Sequence, residues 1–161
     1  MKNLPRRWFV VFQLILTHLY TVMESKIRSW IEKRDQSPAP HVETFEKAMW
    51  GHPAGETLLI ASPQLIETYL KEIPAGQAVA VETMRRGLAA QYEANFTCPM
   101  TSGIFIRLLA EVAYEEWQGG KALSEIAPVW RVIDAKAKVL DKFTFGRDWI
   151  LEQRKAEAIE N

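Results

Sequence analysis

Apolar residues recur at helical spacing in four stretches of the C-terminal two-thirds of the chain. The first follows Ser62-Pro63, a hydroxyl cap with proline at the opening helical position. Leu65, Ile66, Tyr69 and Leu70 then predict a helix that the turn Ile73-Pro74-Ala75-Gly76 closes. A second helix is predicted over about Glu82–Gln91, with Met84 and Leu88 facing inward and Arg85 and Arg86 on or near its outer side. After a break at Asn95–Pro99, a third starts near Thr101 or Ser102 and runs to about Trp117. Phe105, Leu108, Leu109, Val112 and Ala113 form its stripe, and Gly119-Gly120 stops it. Val129–Ile133 is a β-branched run with an aromatic residue, which predicts a strand. Asp134–Gly146 is polar with an apolar return at Phe143-Thr144-Phe145. A last helix is predicted from Arg147 to about Ile159, anchored by Trp149, Ile150 and Ile159. The expected fold is therefore mainly α: a winged helix-turn-helix with a short β wing, plus an N-terminal extension.

The compact pattern begins at Leu58, so 58–161 is the expected domain. Residues 23–57 read as a basic segment and linker, punctuated by Ser37-Pro38-Ala39-Pro40 and His52-Pro53-Ala54-Gly55, with a short helix at Val42–Trp50. Residues 1–22 form an apolar extension. Its stretch Trp8–Val22 follows Lys2, Arg6 and Arg7 like a signal peptide, but no small-x-small cleavage site follows. It is short for a membrane span and contains Gln13 and His18. Three readings stay open: an anchor or uncleaved signal, a helix packed on the domain, or an extension from an early start codon with the functional chain beginning at Met23. The last is favoured, because nothing downstream looks exported.

Hydrophobic residues make up 48 % of the chain and charged residues 25 %, as in ordinary globular domains. Lys+Arg and Asp+Glu are 20 each, so no global field steers a polyanion. A single cysteine excludes an internal disulfide framework and a multi-cysteine zinc cluster. The three histidines lie in the N-terminal third, which disfavours a His-rich metalloenzyme. The expectation is no metal and no cofactor.

Few residues stand out for catalysis. Cys98 precedes a helix start, but a thiolate needs a base or a positive neighbourhood, and every histidine lies at least 46 residues upstream. A small, half-buried residue positioning the turn is the simpler reading. Glu111 and Glu115 share a helix face and Glu116 adjoins them. Paired carboxylates can serve as acid and base, but they also make an ordinary solvated face, which is the reading adopted. No G-x-G-x-x-G, Walker loop, G-x-S-x-G or H-E-x-x-H occurs.

Nucleic-acid binding remains. The second helix of a helix-turn-helix presents its first residues to base edges. Here these are Thr101, Ser102 and Gly103, with Arg107 further along. Arg85, Arg86 and Arg131 are candidates to neutralise phosphates. Glu111, Glu115 and Glu116 would lie at the far, acidic end of that helix.

Several motifs resemble the winged-helix domain of the alkylguanine-DNA alkyltransferases (methylated-DNA-protein cysteine methyltransferases). They are Gln64–Ile73, the turn to Gly76, the Val79 segment and helix 82–91. Pro128-Val129-Trp130-Arg131-Val132 stands where that family has P-C-H-R-V. Phe143-Thr144-Phe145-Gly146 and Asp148–Glu152 resemble its final loop and helix. Phe96–Pro99, Thr101–Arg107 and the degenerate motif are also similar to a bacterial subgroup of alkyltransferase-like MGMT family proteins, whose chains begin with a short basic segment. The likeness covers roughly residues 58–158.

In the family the motif cysteine accepts an alkyl group from a flipped base, and the motif histidine helps to activate it. Val129 and Trp130 stand in their places and supply neither nucleophile nor base. In alkyltransferase-like proteins a tryptophan often replaces the cysteine. Here it is displaced by one position, which on a strand turns it to the opposite face. Val81 stands where the family has a phosphate-rotating tyrosine, and Gly103 near the arginine that fills the gap left by the flipped base. The resemblance thus implies a cytoplasmic, monomeric, non-catalytic protein that binds double-stranded DNA and recognises alkylated or damaged DNA in repair. The alternatives are a DNA-repair methyltransferase with Cys98 as a relocated acceptor, and a winged-helix interaction module that binds protein or membrane.

Overall fold

Residues 28–160 are described in the computed structural model. The elements in chain order are α1 (Trp30–Asp35), β1 (His41–Thr44), β2 (Thr57–Ile60), α2 (Pro63–Glu72), α3 (Val81–Gln91), β3 (Phe96–Thr97), α4 (Pro99–Gln118) and α5 (Asp148–Ala156). Two 3-10 turns, Val129–Arg131 and Lys138–Lys142, lie between α4 and α5. Helices dominate, with one small sheet in the order β1-β2-β3. The expected apolar extension, with Trp8–Val22, lies outside the described residues.

Three of the four expected helices start or stop for local reasons visible in the chain. Ser62 caps α2 by accepting the Leu65 N–H, with Pro63 at the first turn. α3 runs over nearly the expected residues. Pro99 starts α4 a turn fraction earlier than Thr101, because proline's missing N–H costs nothing there. α5 stops short of Ile159 because Ala158 takes φ +55°. The Ile159 N–H then donates back to the Arg154 carbonyl at 2.9 Å, and the Ile159 side chain is buried.

The stretch expected as linker is folded. β1 and β2 pair antiparallel, from His41 opposite Ile60 to Thr44 opposite Thr57. The helix expected over Val42–Trp50 is therefore a strand followed by a tight turn. There the Met49 and His52 backbones exchange hydrogen bonds of 3.1 and 2.9 Å across Trp50 and Gly51. Both of these residues have positive φ, +51° and +82°, the signature of a type I′ turn. For a non-glycine residue this conformation costs about 1–2 kcal/mol.

The strand expected at Val129–Ile133, and with it the wing after Val132, is absent. The Val132 and Ile133 N–H groups both return to the Val129 carbonyl, at 3.1 Å each, and curl the segment into a 3-10 turn. Val129, Trp130, Val132 and Ile133 are all buried. A strand alternates its faces, whereas this run buries every apolar side chain by wrapping. The buried Arg154 guanidinium satisfies the carbonyls thus freed, donating to Trp130 O at 2.8 Å and Ile133 O at 3.0 Å.

The main core joins Ile66 and Leu70 of α2, Met84 and Leu88 of α3, Leu109 of α4, and Ile133, Leu140 and Ile150 from the C-terminal segment. A six-residue helix such as α1 is unstable alone. It is held by Arg34, which donates to Glu116 at 2.9 Å and to Glu67 at 3.3 Å. Burial opposes the Arg34 charge, but its bonds to Asp35 and Glu116 and the nearby Glu67 charge outweigh this and raise its pKa. Burial pushes the Glu116 carboxyl up, while Lys121 and Arg34 outweigh it and hold it below its ordinary value.

A carboxylate with a lowered folded-state pKa stabilises the fold above its unfolded pKa. That contribution is lost as pH falls through the lowered value. Arg34→Gln should therefore destabilise the protein by about 1–3 kcal/mol at pH 7 and flatten the acid limb of a Tm-against-pH profile. Thermal melts of both proteins between pH 7 and 3 check this; parallel profiles would show that the pair is not coupled to folding.

Candidate nucleic-acid interface

α3 and α4 are consecutive helices joined through a tied turn. Glu93 at φ +53° closes α3, and the Ala94 N–H donates to Ala89 O at 2.9 Å. The Thr97 hydroxyl donates to Arg85 O at 2.8 Å, and the Cys98 N–H to Leu59 O at 2.9 Å. The start of α4 is thus fixed to both α3 and the sheet.

That start differs from its expected chemistry. Ser102 is 0 % exposed, and its hydroxyl donates to Cys98 O at 2.7 Å. It lines no surface. Thr101 is half-buried over the same carbonyl, at 3.5 Å. Gly103 is exposed, with open space where a Cβ would project. Met100 and Ile104 beside it are 61 % and 57 % exposed. The outer face of the first two turns is therefore apolar and uncharged.

Two of the four arginines expected at the DNA are committed to the fold. Arg131 grips Glu157, with Nε to Oε2 at 2.8 Å and Nη2 to Oε1 at 2.7 Å, and also donates to Ile73 O. Burial raises the Glu157 pKa, but Arg131 and the Gly76 N–H outweigh it and the net shift is downward. Arg107 donates to Lys142 O at 3.0 Å and so holds the C-terminal loop. Only Arg85 and Arg86 stay on the outer face of α3. Their hydrogen bonds among the described residues go to Glu82 at 2.9 Å and Thr83 at 3.3 Å.

The acidic end of α4 is not a solvated face. Glu111 is 2 % exposed and accepts the Thr144 N–H at 2.9 Å as well as the Thr144 hydroxyl. Glu115 accepts the Trp30 N–H at 2.8 Å and so caps α1. Glu116 pairs with Arg34 and Lys121.

The degenerate motif borders a cavity. The Val79 N–H donates to Arg131 O at 2.8 Å, which draws the segment before α3 against the motif turn. The cavity beside them measures about 510 Å³. Its walls come from Val79, Val81 and Glu82, from Gly103 and Ile106 of α4, and from Arg131–Asp134. No cysteine, histidine, serine or threonine lines it. Beside its apolar walls it carries the acidic residues Glu82 and Asp134 and the arginines Arg131 and Arg154. Ala137 and Val139 also line it, and exposed Lys136 and Lys138 alternate with them. These lysines lie in the polar loop after the motif, where local pattern gives no sign of a cavity. Cys98 is elsewhere, 2 % exposed and packed with Leu58 and Phe96.

Among the described residues no cluster of His, Cys, Asp and Glu could hold a metal ion. No helix among them is long and apolar enough to cross a membrane. Comparisons with protein-family models, with curated proteins and with solved structures find no match to this chain.

Gly103→Ala should stabilise the fold by about 0.5–1 kcal/mol, since the added methyl meets nothing and alanine favours the helix. Arg131→Ala should instead cost about 2–4 kcal/mol by orphaning Glu157 and the Ile73 carbonyl. Chemical denaturation of the two variants checks both; a neutral Arg131→Ala would mean that this side chain is available for other work.

Proposed function

We propose that this chain is a non-catalytic, alkyltransferase-like DNA-binding protein that presents the consecutive helices α3 and α4 without a β wing after the motif, acting as a monomer in recognition of alkylated DNA. The observation that carries the reading is the cavity of about 510 Å³, roomy enough to take a base, between the motif turn, the start of α3 and Gly103 of α4. The sequence resemblance concerns the same three segments. The open face at Gly103 suits close approach of α4 to a duplex, and the exposed Lys136 and Lys138, neighbours in sequence of the cavity-lining Ala137 and Val139, supply positive charge that Arg131, held by Glu157, cannot. Drawing a base into the cavity costs a few kcal/mol of unstacking, which a weakened, alkylated pair reduces. The lining offers no acceptor for an alkyl group, so binding without transfer is the consistent outcome.

The test is a titration with plain and alkylguanine-containing duplexes at two salt concentrations. Tighter binding of the alkylated duplex is expected, with an unchanged intact-protein mass afterwards. Changing Lys136 and Lys138 together to Ala should reduce the salt slope by about two. Equal, negligible affinity for both duplexes would sink the reading, and a mass gain on Cys98 would replace it with the enzymatic one.

A further inference from the structure

A second depression lies on the other side of Glu82, and the alkyltransferase resemblance does not account for it. It is a groove of about 690 Å³ between the Met49–His52 turn, the outer face of α3 and the turn before α4. From the geometry we infer that it is a nucleotide site: an aromatic base stacks on His52 with the Trp50 indole against its edge, and its phosphate pairs with Arg85 and Arg86.

Three independent features support this. First, the aromatic surface is built rather than incidental. The His52 ring lies flat on Phe96, with centroids 3.7 Å apart and planes 6° from parallel. Phe96 is buried, and His52 remains part-exposed on the groove wall. A third flat ring on His52 would continue that stack. His52 Nδ1–H donates to Glu56 at 2.7 Å, which fixes the imidazole plane and leaves Nε2 as the acceptor of the neutral ring. Trp50 stands nearly edge-on to Phe96, at 72° and 6.4 Å, and is 47 % exposed. It occupies a left-handed turn position that glycine or asparagine would fill without strain.

Second, the charge is of the right sign. Arg85 and Arg86 face one lining carboxylate, Glu82, which is largely solvated and bonded to Arg85. Each guanidinium keeps N–H donors without partners among the described residues. Third, the wall carries an oriented polar group. Asn95 Oδ1 accepts both the Thr57 N–H and the Thr57 hydroxyl at 2.8 Å. This locks the amide and leaves its NH₂ donors available to a base edge. Stacking faces beside arginines are what binding of unpaired nucleotides requires. An acidic peptide would use the arginines but not the flat stack.

The test uses the full-length chain with two probes, adenosine monophosphate and a fluorescein-labelled single-stranded oligodeoxynucleotide of mixed sequence, and a plain duplex for comparison. Trp50→Asn keeps the turn, since asparagine tolerates its φ, and should leave Tm unchanged or higher. Trp50→Asn and Arg86→Gln should each weaken oligonucleotide binding by about tenfold or more. Duplex binding should not respond to Trp50→Asn, so a failure here is separable from a failure of the duplex reading. If the monophosphate also binds with the same sensitivity to Trp50→Asn, the ligand is a free nucleotide; if only the oligonucleotide binds, it is a nucleotide within a strand. The proposal is overturned if Trp50→Asn binds the oligonucleotide like wild type, if neither probe binds at low salt, or if poly-glutamate binds with the same sensitivity to Trp50→Asn.

Discussion

The burial of α4 is the constraint on which the structure depends. Its 20 residues bury apolar side chains through most of their length, and two of its glutamates are buried with them. A buried carboxylate without partners would be prohibitively costly. Each acidic residue at this end therefore recruits a different piece of chain. Glu111 takes the Thr144 loop, Glu115 the first N–H groups of α1, and Glu116 takes Arg34 and Lys121. The helix is thereby a hub that binds the N-terminal and C-terminal thirds of the described chain to one core. The Phe145–Tyr114 stack, at 4.4 Å, reinforces the C-terminal side.

A consequence is that most charge near the motif is internal wiring. Arg107, Arg131 and Arg154 hold the Lys142 carbonyl, Glu157 and the motif turn respectively. What they leave is an apolar cavity on one side of Glu82, and an arginine-aromatic groove on the other. Glu82 lines both. The two depressions share the first turn of α3, so a ligand seated in one meets the same carboxylate as a ligand in the other.

Local chemistry in the chain was enough for the helices: Ser62-Pro63 and the 3.6-residue stripes announce α2, α3, α4 and α5 whatever surrounds them. The order of these four helices was legible in the same way, but the contact of the motif turn with the segment before α3 was not. The candidate site was legible only in outline. Gly103, Arg85 and Arg86 lie at the surface as their sequence positions suggest, whereas Ser102 and Arg131 do not. A hydroxyl or guanidinium has the same sequence signature whether it faces water or a buried carbonyl.

Three features were decided only by tertiary structure. Val129–Ile133 has strand composition, but no strand edge meets it, and the Arg154 guanidinium stabilises a 3-10 turn instead. His41–Thr44 and Thr57–Ile60 become strands because they find each other, across a loop whose prolines look like linker. The Trp50-Gly51 turn brings an indole and an imidazole to the arginines of α3. Sequence by itself determined what depends on neighbours a turn away: caps, periodicity and breaks. Pairing, burial of charge and the assembly of both depressions depend on residues 13 to 85 positions apart, and local pattern carries no record of such contacts.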